Sequence, residues 1–169
     1  NCPNYGPPAT GTRVRIPSKI EAEVFTKMYR VQLGVTTDIG GGDKIVDIEA
    51  GDYLEYEVVV PITGDYDVEY RVSATTTTGF ELYIDGQLQQ TVSITSTGAL
   101  DSWTTIERSV NFTEGDHTIQ LLATGGDWNI NYVEFIKFGI PDCNGDIDGL
   151  ARIDDCNVCS GGLTTITPN

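Results

Sequence analysis

From residue 52 to residue 138 apolar and polar side chains largely alternate one by one. Tyr66-Asp67-Val68-Glu69-Tyr70-Arg71-Val72 is the cleanest run, and residues 52–60 alternate before turning apolar ahead of Pro61. Successive side chains on a strand point to opposite faces, so this rhythm marks strands with one face buried. Residues 20–24, 80–84, 88–94, 103–112, 117–123 and 129–138 carry the same signature in shorter form. Turn residues punctuate them: Gly64-Asp65, Asp85-Gly86 as a hairpin, Glu114-Gly115-Asp116 and Gly125-Gly126-Asp127. No stretch shows a convincing helical period. About eight short strands of this kind predict an all-β fold, a two-sheet antiparallel β-sandwich of the jelly-roll type.

The rhythm stops at both ends. Residues 1–18 hold Pro3, Pro7, Pro8 and Pro17 and read as an extended leader. Residues 19–139 form the expected sandwich. Residues 140–169 are rich in Asp, Gly, Asn and Cys and poor in core formers, which predicts a separate C-terminal appendage. No apolar run is long enough to span a bilayer and no signal peptide is visible, so the numbering is expected to begin inside a larger, processed protein.

Charge narrows the partners. The chain has 25 acidic against 10 basic residues, a net charge of −15. Such a surface repels phosphate backbones and anionic headgroups, which disfavours nucleic acid and membrane. A neutral ligand or a cation suits it better. The four cysteines, Cys2, Cys143, Cys156 and Cys159, all lie outside the strand-rich middle. They read as staples for tails without a core, formed in an oxidising, secreted setting. Sequence leaves their pairing open. Cys156-x-x-Cys159 also has metal-like spacing, but the only histidine is His117, a poor complement for zinc.

Catalytic signatures are absent. There is no Gly-x-Ser-x-Gly, no phosphate loop, and His117 follows a turn where a surface or edge role is expected. Paired carboxylates run glycoside hydrolysis, yet pairs arise by chance among so many acids. Glu21 and Glu23 stand two apart, so on a strand both carboxylates share one face. Either they form an exposed acidic strand end, or a hard, oxygen-seeking Ca²⁺ relieves their repulsion. From Asn144, oxygen-bearing residues fall at Asn144, Asp146, Asp148 and finally Asp155, with Gly149 between, similar to a calcium loop without its helices. Trp128 follows Gly-Gly-Asp, where an exposed indole would stack on a sugar ring and Asn129 beside it would hydrogen-bond hydroxyls; the alternative is a Trp folded back on the sheet. Tyr29, Arg30 and Asp101 lie in loops that reach the same rim, and Trp103 opens a strand as a core residue would.

Several segments together resemble a family 6 carbohydrate-binding module: Ile20-Glu21-Ala22-Glu23, Thr37-Asp38-Ile39-Gly40-Gly41-Gly42, Ile48-Glu49-Ala50-Gly51-Asp52-Tyr53-Leu54-Glu55-Tyr56, Ser96-Thr97-Gly98, Trp103-Thr104-Thr105-Ile106, Gly115-Asp116-His117-Thr118-Ile119 and Asn129-Ile130-Asn131-Tyr132. The likeness spans residues 19–138. It implies a non-catalytic β-sandwich appended to a secreted polysaccharide hydrolase, with a structural calcium and a sugar site at loops along one edge. Carried over position by position, it puts the calcium at Glu21, Glu23, Asn131 and the Asp43-Lys44 segment, and the ligand-binding asparagine at Asn129. The family's two clamping aromatics correspond to Asp47 and Leu100, so a flat chain interior loses its grip and a chain end fits better. The tail and the module together are similar to those attached to bacterial β-agarases. The resemblance therefore implies a monomeric module that holds its catalytic domain on agarose, through non-reducing chain ends that neoagaro-oligosaccharides would mimic. Xylan or β-glucan is the alternative ligand, and a calcium-dependent adhesion or spacer domain the alternative class.

Overall fold

The computed structural model describes residues 13–139, 143, 151–153 and 158–160. These fall into two compact units, one of residues 10–136 and one that includes residues 137–169. The larger unit is a sandwich of two six-stranded sheets.

The first sheet is built from β1 (Val14–Arg15), β3 (Lys27–Tyr29), β6 (Tyr53–Val60), β8 (Thr78–Ile84), β9 (Gln87–Ile94) and β11 (Gly115–Ala123), in the order β1-β6-β11-β8-β9 with β3 also on β6. The second contains β2 (Ser18–Glu21), β4 (Gln32–Val35), β5 (Asp43–Ile48), β7 (Gly64–Ala74), β10 (Thr104–Phe112) and β12 (Trp128–Ile136), ordered β10-β7-β12-β5-β4 with β2 also on β12. Their pairings are antiparallel except for β1, which runs parallel to β6. β1 lies inside the segment expected to be leader, so the fold starts earlier than position 19.

Alternation sets the faces as expected. On β6, Leu54, Tyr56, Val58 and Val60 are buried while Glu57 is exposed. On β7, Tyr66, Val68, Tyr70, Val72 and Ala74 face inward. Edge-to-face rings fill the core: Tyr70 to Phe80 at 4.9 Å joins the two sheets, while Tyr66 to Phe112 at 5.5 Å and Phe112 to Phe135 at 5.7 Å link strands within the second. Burying each large side chain contributes about 1.5–3 kcal/mol against the entropy of ordering the chain. The β8–β9 hairpin turns through Asp85 and Gly86, both at positive φ (50° and 76°), as a two-residue turn between twisted strands requires. His117 lies beside that turn, its Nδ1 2.6 Å from Asp85 Oδ2 and its Nε2 2.8 Å from the Thr113 carbonyl, so it ties two turns together.

One clamp fixes the glycine-rich loop between β4 and β5. Arg71 donates from Nε and Nη2 to the two oxygens of Asp38 at 2.8 and 2.7 Å, and from Nη1 to Thr105. Asn131 Nδ2 adds a bond to Asp38 at 3.1 Å. The Arg71 hydrogen bonds hold the Asp38 carboxyl below its ordinary range, against the cost of burial.

In the smaller unit, β13 (Arg152–Ile153) pairs with β14 (Cys159–Ser160), and Cys143 is bonded to Cys159. That pairing takes Cys159 out of the zinc alternative. Asn144, Asp146, Asp148 and Asp155, expected to form a calcium loop, lie outside the described residues, as do Cys2 and Cys156. Among the described residues no helix is long and apolar enough to cross a membrane.

Candidate functional site

A bulge between β5 and β12 organises the rim. Trp128 pairs with Ile48 and Ile130 with Ile45, which leaves Asn129 facing both Val46 and Asp47. A two-against-one mismatch bends the strand and re-aims its side chains. Asp47 absorbs the extra residue at φ 55°, a left-handed conformation that Asp adopts more readily than most residues, and its side chain stays exposed. Asn129 is buried beside it. Its Nδ2 donates to the Leu100 carbonyl at 3.0 Å, and Ser73 Oγ donates to that same oxygen at 2.6 Å. These bonds, with those of Thr97 to the Ala74 backbone, seat the loop of residues 96–103 over the ends of β7 and β12.

Leu100 is 38% exposed at the surface of that loop. Trp103 is half-buried, with the Lys44 ammonium 5.5 Å from its ring centroid. Lys44 Nζ donates to Asp101 at 2.5 Å, and this bond holds the Asp101 carboxyl below its ordinary range. Asp47, Leu100, Asp101, Trp103 and Asn129 therefore share one neighbourhood. Two of its buried polar atoms, Asn129 Oδ1 and Trp103 Nε1, have no hydrogen-bond partner in the protein. A buried acceptor and a buried donor left unpaired carry a desolvation cost that a new hydrogen-bond partner would relieve.

Trp128 does not belong to this site as expected. It is 2% exposed, stacked on Phe80 at 5.3 Å, with Nε1 donating to the Gly125 carbonyl at 3.0 Å. Beside it lies a gap of about 10 Å³, room for one water at most. The glycines before it let the chain fold the indole back over the core, and Gly126 has Glu49 against it where a Cβ would sit.

Tyr29 and Arg30 also depart from the expected rim. Tyr29 ends β3, pairs with Tyr53 and stacks on it at 5.8 Å, and Arg30 Nε lies 3.4 Å from Asp52 Oδ1. They belong to the outer face of the first sheet. There the register aligns Tyr29, Tyr53, Leu122 and Glu81 in one row and Lys27, Glu55, Gln120 and Tyr83 in the next. Tyr53, Tyr83 and Leu122 stand half-buried there.

The residues expected to hold calcium cluster around β2 and β12. β2 ends at Glu21, and Glu23 sits in the turn that follows, closed by the Val24 N to Glu21 O bond. Strand alternation therefore does not place the two carboxylates; the turn does. Glu21 is ion-paired with Lys19, and among the described residues no three Asp, Glu, His or Cys side chains gather as a metal cluster. Glu23 carries the signal instead. Burial, and secondarily the charges of Glu21 and Asp43, push its carboxyl above the ordinary range, and its Oε2 is buried without a partner. Asn131 Oδ1 is buried and unpartnered as well, and the Asn131 carbonyl accepts from Ala22 N beside Glu23. The Lys44 side chain, an ammonium bonded to Asp101, has no lone pair for a metal, which leaves only its backbone oxygen.

The two-layer β-sandwich with its polar, partly unsatisfied rim beside a bulge is an architecture that ligand-binding modules use. Residues 21–137 match the family model described as carbohydrate binding module (family 6), and the chain belongs to that family of non-catalytic modules. It is 32% identical over 123 residues to the clotting factor G alpha subunit of Tachypleus tridentatus, covering 70% of this chain and 18% of that protein. It is 30% identical over 177 residues to beta-agarase AgaO of Microbulbifer thermotolerans, covering 96% of this chain and 15% of the agarase. Thus it spans less than a fifth of either relative. Among solved structures it is similar to the carbohydrate-binding module of Cellvibrio mixtus lichenase 5A in complex with cellotriose, at 34% identity and a TM-score of 0.67, covering 72% of this chain and 98% of that one.

Proposed function

We propose that this module holds an attached catalytic domain, an agarase, on agarose by gripping non-reducing ends of the neutral galactan. The observation that carries the reading is the rim itself. Asn129 offers an unpaired acceptor and Trp103 an unpaired donor, while Asp47 and Leu100 stand where two clamping aromatics would hold a chain interior. One partial aromatic surface with several polar groups suits a terminus. A net charge of −15 favours an uncharged polymer, and likeness to an agarase over nearly the whole chain supports the choice of galactan. The Cys143–Cys159 bond agrees with a secreted protein. Affinity is modest, in the micromolar range that wet polar sites reach, and tethering turns it into high local concentration of enzyme at an insoluble substrate.

Calcium belongs to the same proposal. Glu23, Asp43, Asn131 and the Lys44 carbonyl would hold it, with Glu21 released from Lys19 to join them. The ion would supply positive charge to a buried carboxylate that burial and its neighbours otherwise oppose.

Calorimetry of the monomeric chain with neoagaro-, xylo- and cello-oligosaccharides tests the ligand. Neoagaro-oligosaccharides should bind best, and Asn129→Ala should lose them. Preference for xylan or β-glucan fragments would move the ligand, and an unaffected Asn129→Ala would move the site.

A further inference from the structure

The outer face of the second sheet carries a groove of about 530 Å³ that shares no residue with the rim, lined by Lys19, Asp38, Ile39, Arg71, Tyr132 and Glu134. A space of that size fits one or two sugar units. Its floor is the cross-strand row Thr105, Arg71, Tyr132 and Glu21, with Glu134 and Lys19 in the row beside it.

The groove is built rather than incidental. Arg71 is pinned by Asp38 and Thr105, so its guanidinium plane is fixed before any ligand arrives. Its side chain is still 22% exposed, against 4% for Asp38. The same clamp anchors the Gly40-Gly41-Gly42 loop and projects Ile39, 93% exposed, over the groove's edge. Tyr132 supplies an aromatic surface opposite that apolar wall. The Lys19 ammonium, held by Glu21, lies over the Tyr132 ring 5.0 Å from its centroid, so a sugar would meet the part of the ring that Lys19 leaves open and a hydroxyl beside the ring would accept from Lys19.

Charge decides the class of ligand. Lys19 and Arg71 face Asp38, Glu21 and Glu134, so both signs are present, on a chain whose net charge is −15. An anionic sugar would meet Glu134, and a cation would meet Lys19 and Arg71. An uncharged pyranose meets neither conflict: its C–H face covers Tyr132 and Ile39, and its hydroxyls reach the fixed charged groups.

We infer that this groove is a second sugar-binding site, for an uncharged pyranose unit, on the sheet face anchored by Tyr132 and Arg71. The inference rests on the carbohydrate-binding reading above. Two sites on one module would let it bridge neighbouring chains of an insoluble polymer, with avidity beyond either site alone.

Amide NMR of the whole chain titrated with neoagarohexaose, alongside cellohexaose and a uronate oligosaccharide, tests it. The expected result is shifts at Ile39, Arg71 and Tyr132 that persist in Asn129→Ala. Tyr132→Ala should weaken the groove at least about tenfold. Ile39→Asp, at an exposed tip where folding is not at stake, should do the same while rim shifts continue unchanged. Shifts at the rim alone would overturn the second site and leave the module's function standing. Shifts at neither place with any sugar would overturn both, and a groove answering only to the uronate would overturn the assignment of an uncharged ligand.

Discussion

The chain has two tryptophans, and their surroundings differ in one respect that matters. Trp128 has a ring against it and an acceptor for its N–H; Trp103, at the edge of the rim, has a cation near its ring and no acceptor for a buried N–H. The first indole is complete within the protein, and the second is not. The same contrast runs through the polar groups. Asp38 is bonded by Arg71 and Asn131, whereas Glu23 Oε2 and Asn129 Oδ1 end without a partner. Completed groups hold the fold, and incomplete ones still lack a partner, which under the proposed function a ligand or ion would supply. Incompleteness alone is insufficient, since Tyr70 OH is also unpaired yet lies in the core, away from any cleft.

The strongest way to break this contrast is at Trp128. Trp128→Ala should cost about 3–5 kcal/mol of stability by opening a cavity against Phe80, seen as a large fall in denaturant midpoint, while the folded fraction still binds sugar. Lost binding at unchanged stability would return Trp128 to the site. Next is Arg71→Ala, which leaves a buried Asp38 carboxylate without its cation and should cost about 2–3 kcal/mol at neutral pH. That cost should shrink in acid. Because Asp38 is depressed in the folded state, its stabilisation is present above the ordinary value of 3.8 and fades as pH falls through the lower folded one. A wild-type to Arg71→Ala difference that does not depend on pH would contradict the clamp.

Glu23 has the opposite sign. Its folded carboxyl is raised above 4.5, so without metal the native state binds a proton more tightly and stability falls as pH climbs past that value. Calcium at a hundred times its dissociation constant should restore about 2.7 kcal/mol at neutral pH. Glu23→Gln should melt higher than wild type in EDTA and gain less from calcium. Equal melting of both proteins with and without calcium would remove the ion from this turn. The smallest effect is expected at Trp103. Trp103→Phe should weaken oligosaccharide binding about tenfold with little change in melting temperature, measured by calorimetry and scanning fluorimetry. The reverse outcome, stability lost and affinity kept, would make both tryptophans structural.

These contrasts also explain what the chain's pattern conveyed. β6 through β12 were legible because each buries one face, so the alternation of Leu54, Tyr56 and Val58 or of Val68, Tyr70 and Val72 survives in the residues. β3 to β5 were not. Lys27, Met28 and Tyr29 are all exposed, Leu33 and Val35 face solvent on an edge strand, and Lys44 is buried where a core residue would be expected. Family likeness pointed to Asn129, Asp47 and Leu100, which the structure brings to one neighbourhood, but Trp128 lies buried apart from them. Its neighbours Gly125, Gly126 and Asp127 read as an exposed loop, and nothing local reveals that Phe80, far away in sequence, lies beneath the indole. Local residues specify strand faces; long-range stacking decides which aromatic is spare.

The two-against-one mismatch at Asn129 has a consequence for how such modules diversify. Asp47 hangs on an extra residue that the inward-packed Ile45 and Ile48 do not depend on. Under the proposed function, exchanging that side chain would alter what the protein recognises without asking the interior to repack. Its left-handed backbone sets the one toll: a bulky aromatic there would begin with a handicap of roughly 1–2 kcal/mol, while Asp, Asn or Gly would not. If Asp47 meets the sugar as proposed, selection could swap polysaccharides at this spot cheaply in one direction and more slowly in the other.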